Sequence, residues 1–269
     1  MDKAHPLTSP MVVRSLNVHD DPFRPREDDE EILGPGIPYL SAIGALMYLA
    51  NNTRPDIAFS VNLLARHSST PSRRHWNGIK HILRYLNGTI DLGLFYRKDA
   101  KATLVGYADA GYLSDPQKEK SQTGYVFTYG DTAISWRSMK QTLTATSSNH
   151  AELIALYETG RECVWLRSMI QHIQSGCGIK TITSHPTPIY EDNTACIAQV
   201  KGGYIKGDRT KHISPKFFST HDLEKDGKVD MKQIKSSENL ADLFTKVLPP
   251  KKFEELVHKI GMRRLRQLC

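Results

Sequence analysis

The order in which the apolar residues change period is the strongest constraint on how this 269-residue chain can fold. After Gly88 the sequence reads as strands: Gly93 to Tyr96, Thr103 to Ala108, Gly124 to Tyr129 and Thr132 to Trp136, with Gly130-Asp131 as the turn between the last two. These runs predict an antiparallel meander. A helical stripe follows from about Asn149 to Ile173, carried by Leu153, Leu156, Tyr157, Gly160 and Val164, with Gly176 and Gly178 beyond its end. Next come a short strand at Pro188-Ile189-Tyr190, helical stretches at about Thr194 to Val200 and Pro215 to Lys225, a strand at Val229 to Ile234, and a helix pair from Leu240 to Ile260. A strand that returns through a helix normally lies parallel to the one it left. The expected class is therefore α/β, a mixed sheet with helices against its faces.

Upstream, residues 37–90 read as a small helical subdomain. Ile43, Leu46, Met47 and Ala50 form one stripe, Ile57, Val61 and Leu64 a second, and Trp76, Ile79, Leu83 and Leu86 a third; Pro55 and Pro71 stand where helices begin. The third helix carries Arg73, Arg74, Lys80 and Arg84, a pattern that fits a solvated basic face as well as a nucleic-acid surface. Residues 1–36 scatter Pro6, Pro10, Pro22, Pro25 and Pro35 among charges, which predicts a poorly ordered linker or the truncated end of something larger. Residues 91–250 form the strand-rich domain, and 251–269 a basic C-terminal helix.

A hydrophobic content of 39% supports a real core and excludes wholesale disorder. The net charge of +7 favours a polyanionic partner without identifying one. Basic residues also gather at Lys201, Lys206, Arg209, Lys211 and Lys216 and at Arg263, Arg264 and Arg266; Glu27 to Glu31 is the acidic run. Cys163, Cys177, Cys196 and Cys269 lack the paired spacing of a zinc site and read as reduced thiols inside a cell. No apolar stretch approaches the ~20 residues that a membrane-spanning helix needs, so no membrane partner is expected.

Four carboxylates, Asp109, Glu152, Asp192 and Asp242, lie in four separate segments. Asp109 ends the run Leu104-Val105-Gly106-Tyr107-Ala108, which is apolar or small on both faces as a buried central strand would be. A carboxylate there is costly unless it is paired or binds a metal. Asp192 closes a strand and precedes a helix, the place where ligands collect in open α/β sheets. Glu152 and Asp242 lie near helix starts, where Asn149-x-x-Glu152 and Asn239-x-x-Asp242 match a capping-box-like spacing, and from spacing alone capping ranks above catalysis. Brought together, the four would suit a divalent-cation site acting on a phosphodiester.

The words around these acids carry a family resemblance. Gly106-Tyr107-Ala108-Asp109-Ala110, Ser121-Gln122-Thr123-Gly124-Tyr125-Val126, Ala133-Ile134-Ser135-Trp136, Ala145-Thr146-Ser147-Ser148-Asn149-His150-Ala151-Glu152, Asp192-Asn193, Arg209-Thr210-Lys211-His212-Ile213 and Asn239-Leu240-Ala241-Asp242-Leu243-Phe244-Thr245-Lys246 resemble, in order and spacing, the ribonuclease H domain of copia-type LTR retrotransposon Pol polyproteins. Tyr39-Leu40-Ser41-Ala42-Ile43-Gly44, Leu46-Met47-Tyr48-Leu49, Thr53-Arg54-Pro55-Asp56-Ile57 and His75-Trp76 resemble the tail of the same family's reverse transcriptase. The match spans most of residues 39–250.

The resemblance implies a five-stranded ribonuclease H-like sheet, three strands antiparallel and then parallel, whose edge holds two Mg²⁺ ions, with Mn²⁺ as an alternative. Asp109 would bridge both ions, Glu152 and Asp192 would complete the side where water is activated, and Asp242 would close the ion near the leaving 3′ oxygen. The implied partners are an RNA/DNA hybrid, read through the 2′-hydroxyl, and the remaining Pol domains, reverse transcriptase and integrase. Ser121, Thr123 and Asn193 are candidate substrate contacts, although local turn and cap bonding accounts for them equally simply. The implied location is a cytoplasmic virus-like particle.

The sequence departs from the family pattern in places. Lys235-Ser236-Ser237-Glu238 has no histidine before the last aspartate, and Ala110-Gly111-Tyr112 replaces the second acid or Trp that often follows the first. Tyr107-Ala108-Asp109-Ala110 lacks the second acid of a Tyr-x-Asp-Asp polymerase signature. The alternatives to a hybrid endonuclease are a catalytically silent Pol remnant that only binds nucleic acid, and a related nuclease acting on DNA junctions. The reverse-transcriptase-like segment argues against the latter.

Overall fold

The first three helices of the computed structural model follow the apolar stripes closely; the structure describes residues 4–13, 17, 20–99, 101, 103–179, 185–203 and 213–268. Helix α1 is Tyr39–Asn52, α2 is Ala58–Ala65 and α3 is Arg73–Asn87. Pro55 opens a single 3₁₀ turn before α2, and Ser72 opens α3, where His75 Nδ1 accepts the Ser72 N–H at 3.0 Å. The buried Arg54–Asp56 ion pair, 2.7 Å, is completed by the Tyr85 hydroxyl donating to Asp56 and ties the α2 entry to α3.

Strand β1, Leu92–Leu94, leaves the expected meander. It pairs antiparallel with β7, Met262–Arg264, in a two-stranded sheet of its own. The main sheet contains β2 (Leu104–Asp115), β3 (Lys120–Tyr129), β4 (Thr132–Lys140), β5 (Thr187–Glu191) and β6 (Val229–Gln233), in the spatial order β4-β3-β2-β5-β6. β2, β3 and β4 are antiparallel, whereas β5 runs parallel to β2 and β6 parallel to β5. Helices α4 (Ser148–Gly176), α5 (Thr194–Gly202) and α6 (Ser219–Lys225) supply the crossovers, as the order of periods requires.

One face of the sheet packs against α4 to α6 through Ala108, Phe127, Leu153, Leu156, Ile189, Phe217 and Met231. The opposite face shares a second core with α1 to α3, where Val126 and Ala133 meet Ile57, Leu64 and Ile79, and the same core takes in Leu240, Phe244 and α7 (Pro250–Lys259). Trp136 donates its indole N–H to the Ala50 carbonyl at 2.7 Å across this junction. The helical segment over 37–90 therefore has no core separate from the sheet. Three further expectations are corrected. Residues 251–269 divide between α7, β7 and a short 3₁₀ turn because Gly261 takes φ +89 and turns the chain back towards β1. The described residues of the segment expected as a loose linker lie along α3, burying Met11 and Phe23 and pairing Glu30 with Arg74, because their scattered apolar side chains fill gaps beside that helix. Arg74 and Arg84 are thereby engaged: Arg74 also donates to the Pro22, Arg24 and Pro25 carbonyls, and Arg84 donates to the His5 carbonyl at 2.8 Å.

Candidate active site

Register places the first two aspartates at one end of the sheet. Tyr107 pairs with Tyr190 in the parallel β2–β5 ladder, so Asp109 and Asp192, each two residues further on, come together just past the end of that ladder, where β5 finishes and β2 runs on beside β3. Beyond Asp109 strand β2 is irregular between Gly111 and Asp115, with Leu113 at φ +50, which ends regular pairing beside the site. Glu152 comes from α4, one residue past its first turn. That helix is capped by Ser147, whose hydroxyl accepts the His150 N–H at 3.1 Å, so Glu152 is not committed to the Asn149 capping box that its spacing suggested.

Two glycines admit the fourth segment. A Cβ on Gly124 would lie 2.6 Å from Thr245 Cγ2, and one on Gly111 would lie 2.7 Å from the Thr245 carbonyl, so the 3₁₀ turn Leu240–Phe244 settles onto β2 and β3 only because neither residue has a side chain. Asn239 caps this turn by accepting the Ala241 N–H, and its amide donates to the Ala108 carbonyl at 2.7 Å, pinning the turn one residue from Asp109. The Asp242 side chain pairs with Lys246 Nζ at 2.8 Å, and the same ammonium lies 3.5 Å from Asp109. Thr245 donates its hydroxyl to the other Asp109 oxygen.

Asp109, Glu152 and Asp192 each bring one carboxylate oxygen to within 4.8 Å of the others. Asp242 stands outside that trio, across Lys246 from Asp109. Burial, opposed by Lys246 and reinforced by Asp242, pushes the Asp109 carboxyl up to about 6. Burial first, and then the charge on Glu191, holds Glu152 well above the ordinary glutamate range. Asp242 is raised by burial against the pull of Lys246. These groups are held in anion-rich, dehydrated surroundings that a cation would relieve.

Glu191 escaped the sequence reading. It is 0% exposed, accepts the Asn193 N–H at 3.1 Å through one oxygen, and leaves Oε2 without a hydrogen-bond partner among the described residues. Its burial was available from the period of β5, where Thr187, Ile189 and Glu191 share one face. Lys246 was likewise signalled by its position four residues after Asp242.

The proposed substrate contacts serve the fold. Ser121 accepts the Leu113 N–H, Thr123 accepts from the Gln141 amide, and Asn193 caps α5 by accepting the Cys196 N–H. Arg73 stays exposed and Lys80 half-buried on α3. Lys206, Arg209, Lys211 and His212 lie outside the described residues.

The sequence is 39% identical over 227 residues to the retrovirus-related Pol polyprotein of transposon TNT 1-94 from Nicotiana tabacum, covering 84% of this chain and 16% of that protein. It is 32% identical to the Pol polyprotein of transposon RE2 from Arabidopsis thaliana, over 99% of this chain and 17% of that one. The chain belongs to the copia-type retrotransposon Pol polyproteins. This Pol chain thus spans about a sixth of the length of the polyproteins it matches. It is also similar to secreted RxLR effector protein 161 of Plasmopara viticola, 45% identical over 48% of this chain and 92% of that protein. No protein-family model matches. Among solved structures, LC11-RNase H1 in complex with an RNA/DNA hybrid overlays 53% of this chain and 94% of its own at 17% identity and a TM-score of 0.38. The main sheet has the strand arrangement that the resemblance implied: three antiparallel strands continued by two parallel ones, with helices on both faces. No helix among its described residues is long and apolar enough to cross a membrane.

Proposed function

We propose that this Pol chain is a metal-dependent endonuclease that hydrolyses the RNA strand of RNA/DNA hybrids. The observation that carries the reading is the meeting of Asp109, Glu152 and Asp192, from three different elements, within 4.8 Å. Three hard oxygen donors, with Glu152 Oε2 unpartnered among the described residues, fit a divalent ion such as Mg²⁺ or Mn²⁺. Asp109, Glu152 and Asp192 would hold one ion, and Asp242 with Asp109 would hold a second. Bound there, the ions would neutralise charge on the scissile phosphate and activate water for in-line attack. The chain's own contribution is placement: the β2–β5 register fixes two donors, the Ser147 cap fixes a third, and the Gly111–Gly124 groove brings the fourth segment alongside. The remaining Pol domains would supply the hybrid.

Purified protein with Mg²⁺ should cut the RNA of a labelled hybrid, and Asp109→Asn should lower the rate by about a hundredfold or more. Cleavage that survives the substitution unchanged rejects the site. Salt-sensitive hybrid binding with no cleavage would instead favour a silent Pol remnant.

A further inference from the structure

Among the described residues, Lys246 is the one cation that contacts two of the four acids. Its Nζ is 2.8 Å from Asp242 and 3.5 Å from Asp109, yet its side chain is 41% exposed, so the ammonium reaches inward from a stem that remains in solvent. Asp109 spends one oxygen on Thr245 and the other on this ammonium. An Asp109 oxygen held this way is not free to join Asp242 around another cation. The backbone before Lys246 is fixed by Thr245 and by the cap at Asn239, while the long lysine side chain has room to turn outwards.

We propose that Lys246 is a built-in counter-cation that occupies the Asp109–Asp242 half of the site and must vacate it before a divalent ion can bind there. Swung outwards, its ammonium remains tethered at the rim of the site, where it would pair with a substrate phosphate. The idea rests on the metal-site reading above and adds a competitor to it. Lys246 then has two seats, one inside the acidic pocket and one over the backbone of the hybrid.

The test uses the full chain stripped with EDTA, without nucleic acid, and follows Mg²⁺ binding by calorimetry and thermal shift. Lys246→Met keeps length and removes charge. It should destabilise the stripped protein, show a larger Mg²⁺-induced rise in Tm than the parent, and bind Mg²⁺ roughly tenfold more tightly. Lys246→Arg retains a cation and should keep the parent's weaker binding. Lys252→Met removes a positive charge near Asp242 without emptying the seat, and it should leave Mg²⁺ affinity near the parent's. An equal gain in Lys252→Met, an unchanged affinity in Lys246→Met, or no Mg²⁺ binding in either parent or Lys246→Met overturns the proposal. If the parent binds Mg²⁺ and Lys246→Met binds it no better, the counter-cation fails while the metal site stands. If Asp109→Asn leaves Mg²⁺ binding intact, the metal site itself fails.

Discussion

Asp109 is 2% exposed and its carboxyl is displaced upwards to about 6, so the folded protein favours its protonated form. The stability associated with that proton is present below about pH 4 and lost as pH rises through about 6. Replacing Asp109 by Asn removes the loss. In metal-free buffer the variant should match the parent near pH 4 and exceed it by on the order of 2–3 kcal/mol near pH 7, as read from chemical denaturation at each pH. The same substitution should abolish cleavage, which separates stability from function at a single atom. Glu191 makes a parallel case, since it is buried with its Oε2 unpartnered. Glu191→Gln keeps an acceptor for the Asn193 N–H and removes a dehydrated charge, so the metal-free variant should melt higher than the parent. A lower Tm would show that the charge already has compensation within the fold.

The 240–245 turn depends on the absence of two side chains. Gly124→Val would drive a branched side chain into Thr245 and Phe244, and should cost about 1–3 kcal/mol in equilibrium unfolding while lowering cleavage by moving Asp242 and Lys246. Asn239→Ala removes both the cap and the bond to Ala108, and should cost about 1–3 kcal/mol. Much at this scale was legible from periodicity: α1 to α5 and the five sheet strands lie near where their apolar patterns put them, but β2 runs on to Asp115 and β3 begins at Lys120, because their polar ends lack an apolar period. The strand at Leu92–Leu94 was legible as a strand but not in its pairing, since its partner at Met262–Arg264 is 170 residues away and carries two arginines in a run that reads as helix. The cap on α4 was misread because both Ser147 and Asn149 are good cap residues, and only the backbone geometry selects the first. The four acids Asp109, Glu152, Asp192 and Asp242 were read as one set from their sequence context, and the fold brings the first three within 4.8 Å of one another. Beyond their spacing, Glu191 and Lys246 gave no such signal, because an acid at a strand end and a lysine after a turn are ordinarily solvated, and it is the fold that buries the first and turns the second inward.

At the scale of the molecule, the division at residue 90 cuts through a core. Ile57, Leu64 and Ile79 from the helical segment lie in one cluster with Val126, Phe244 and Leu256 from the sheet side. Residues 91–250 expressed alone should therefore expose this face, bind a hydrophobic dye and melt without cooperativity, whereas a chain beginning near residue 4 should unfold in one transition. A cooperative, dye-silent 91–250 fragment would show that the two parts are independent. The antiparallel strip formed by β1 and β7 has a further consequence. It sets Leu92 opposite Arg264 and Leu94 opposite Met262, so residues near 263 return to the stretch that links the helical segment to the main sheet. A break opened between residues 98 and 99 would leave two pieces still zipped along this strip and interlocked through their shared interior, and mixing them should reconstitute the whole by fragment complementation.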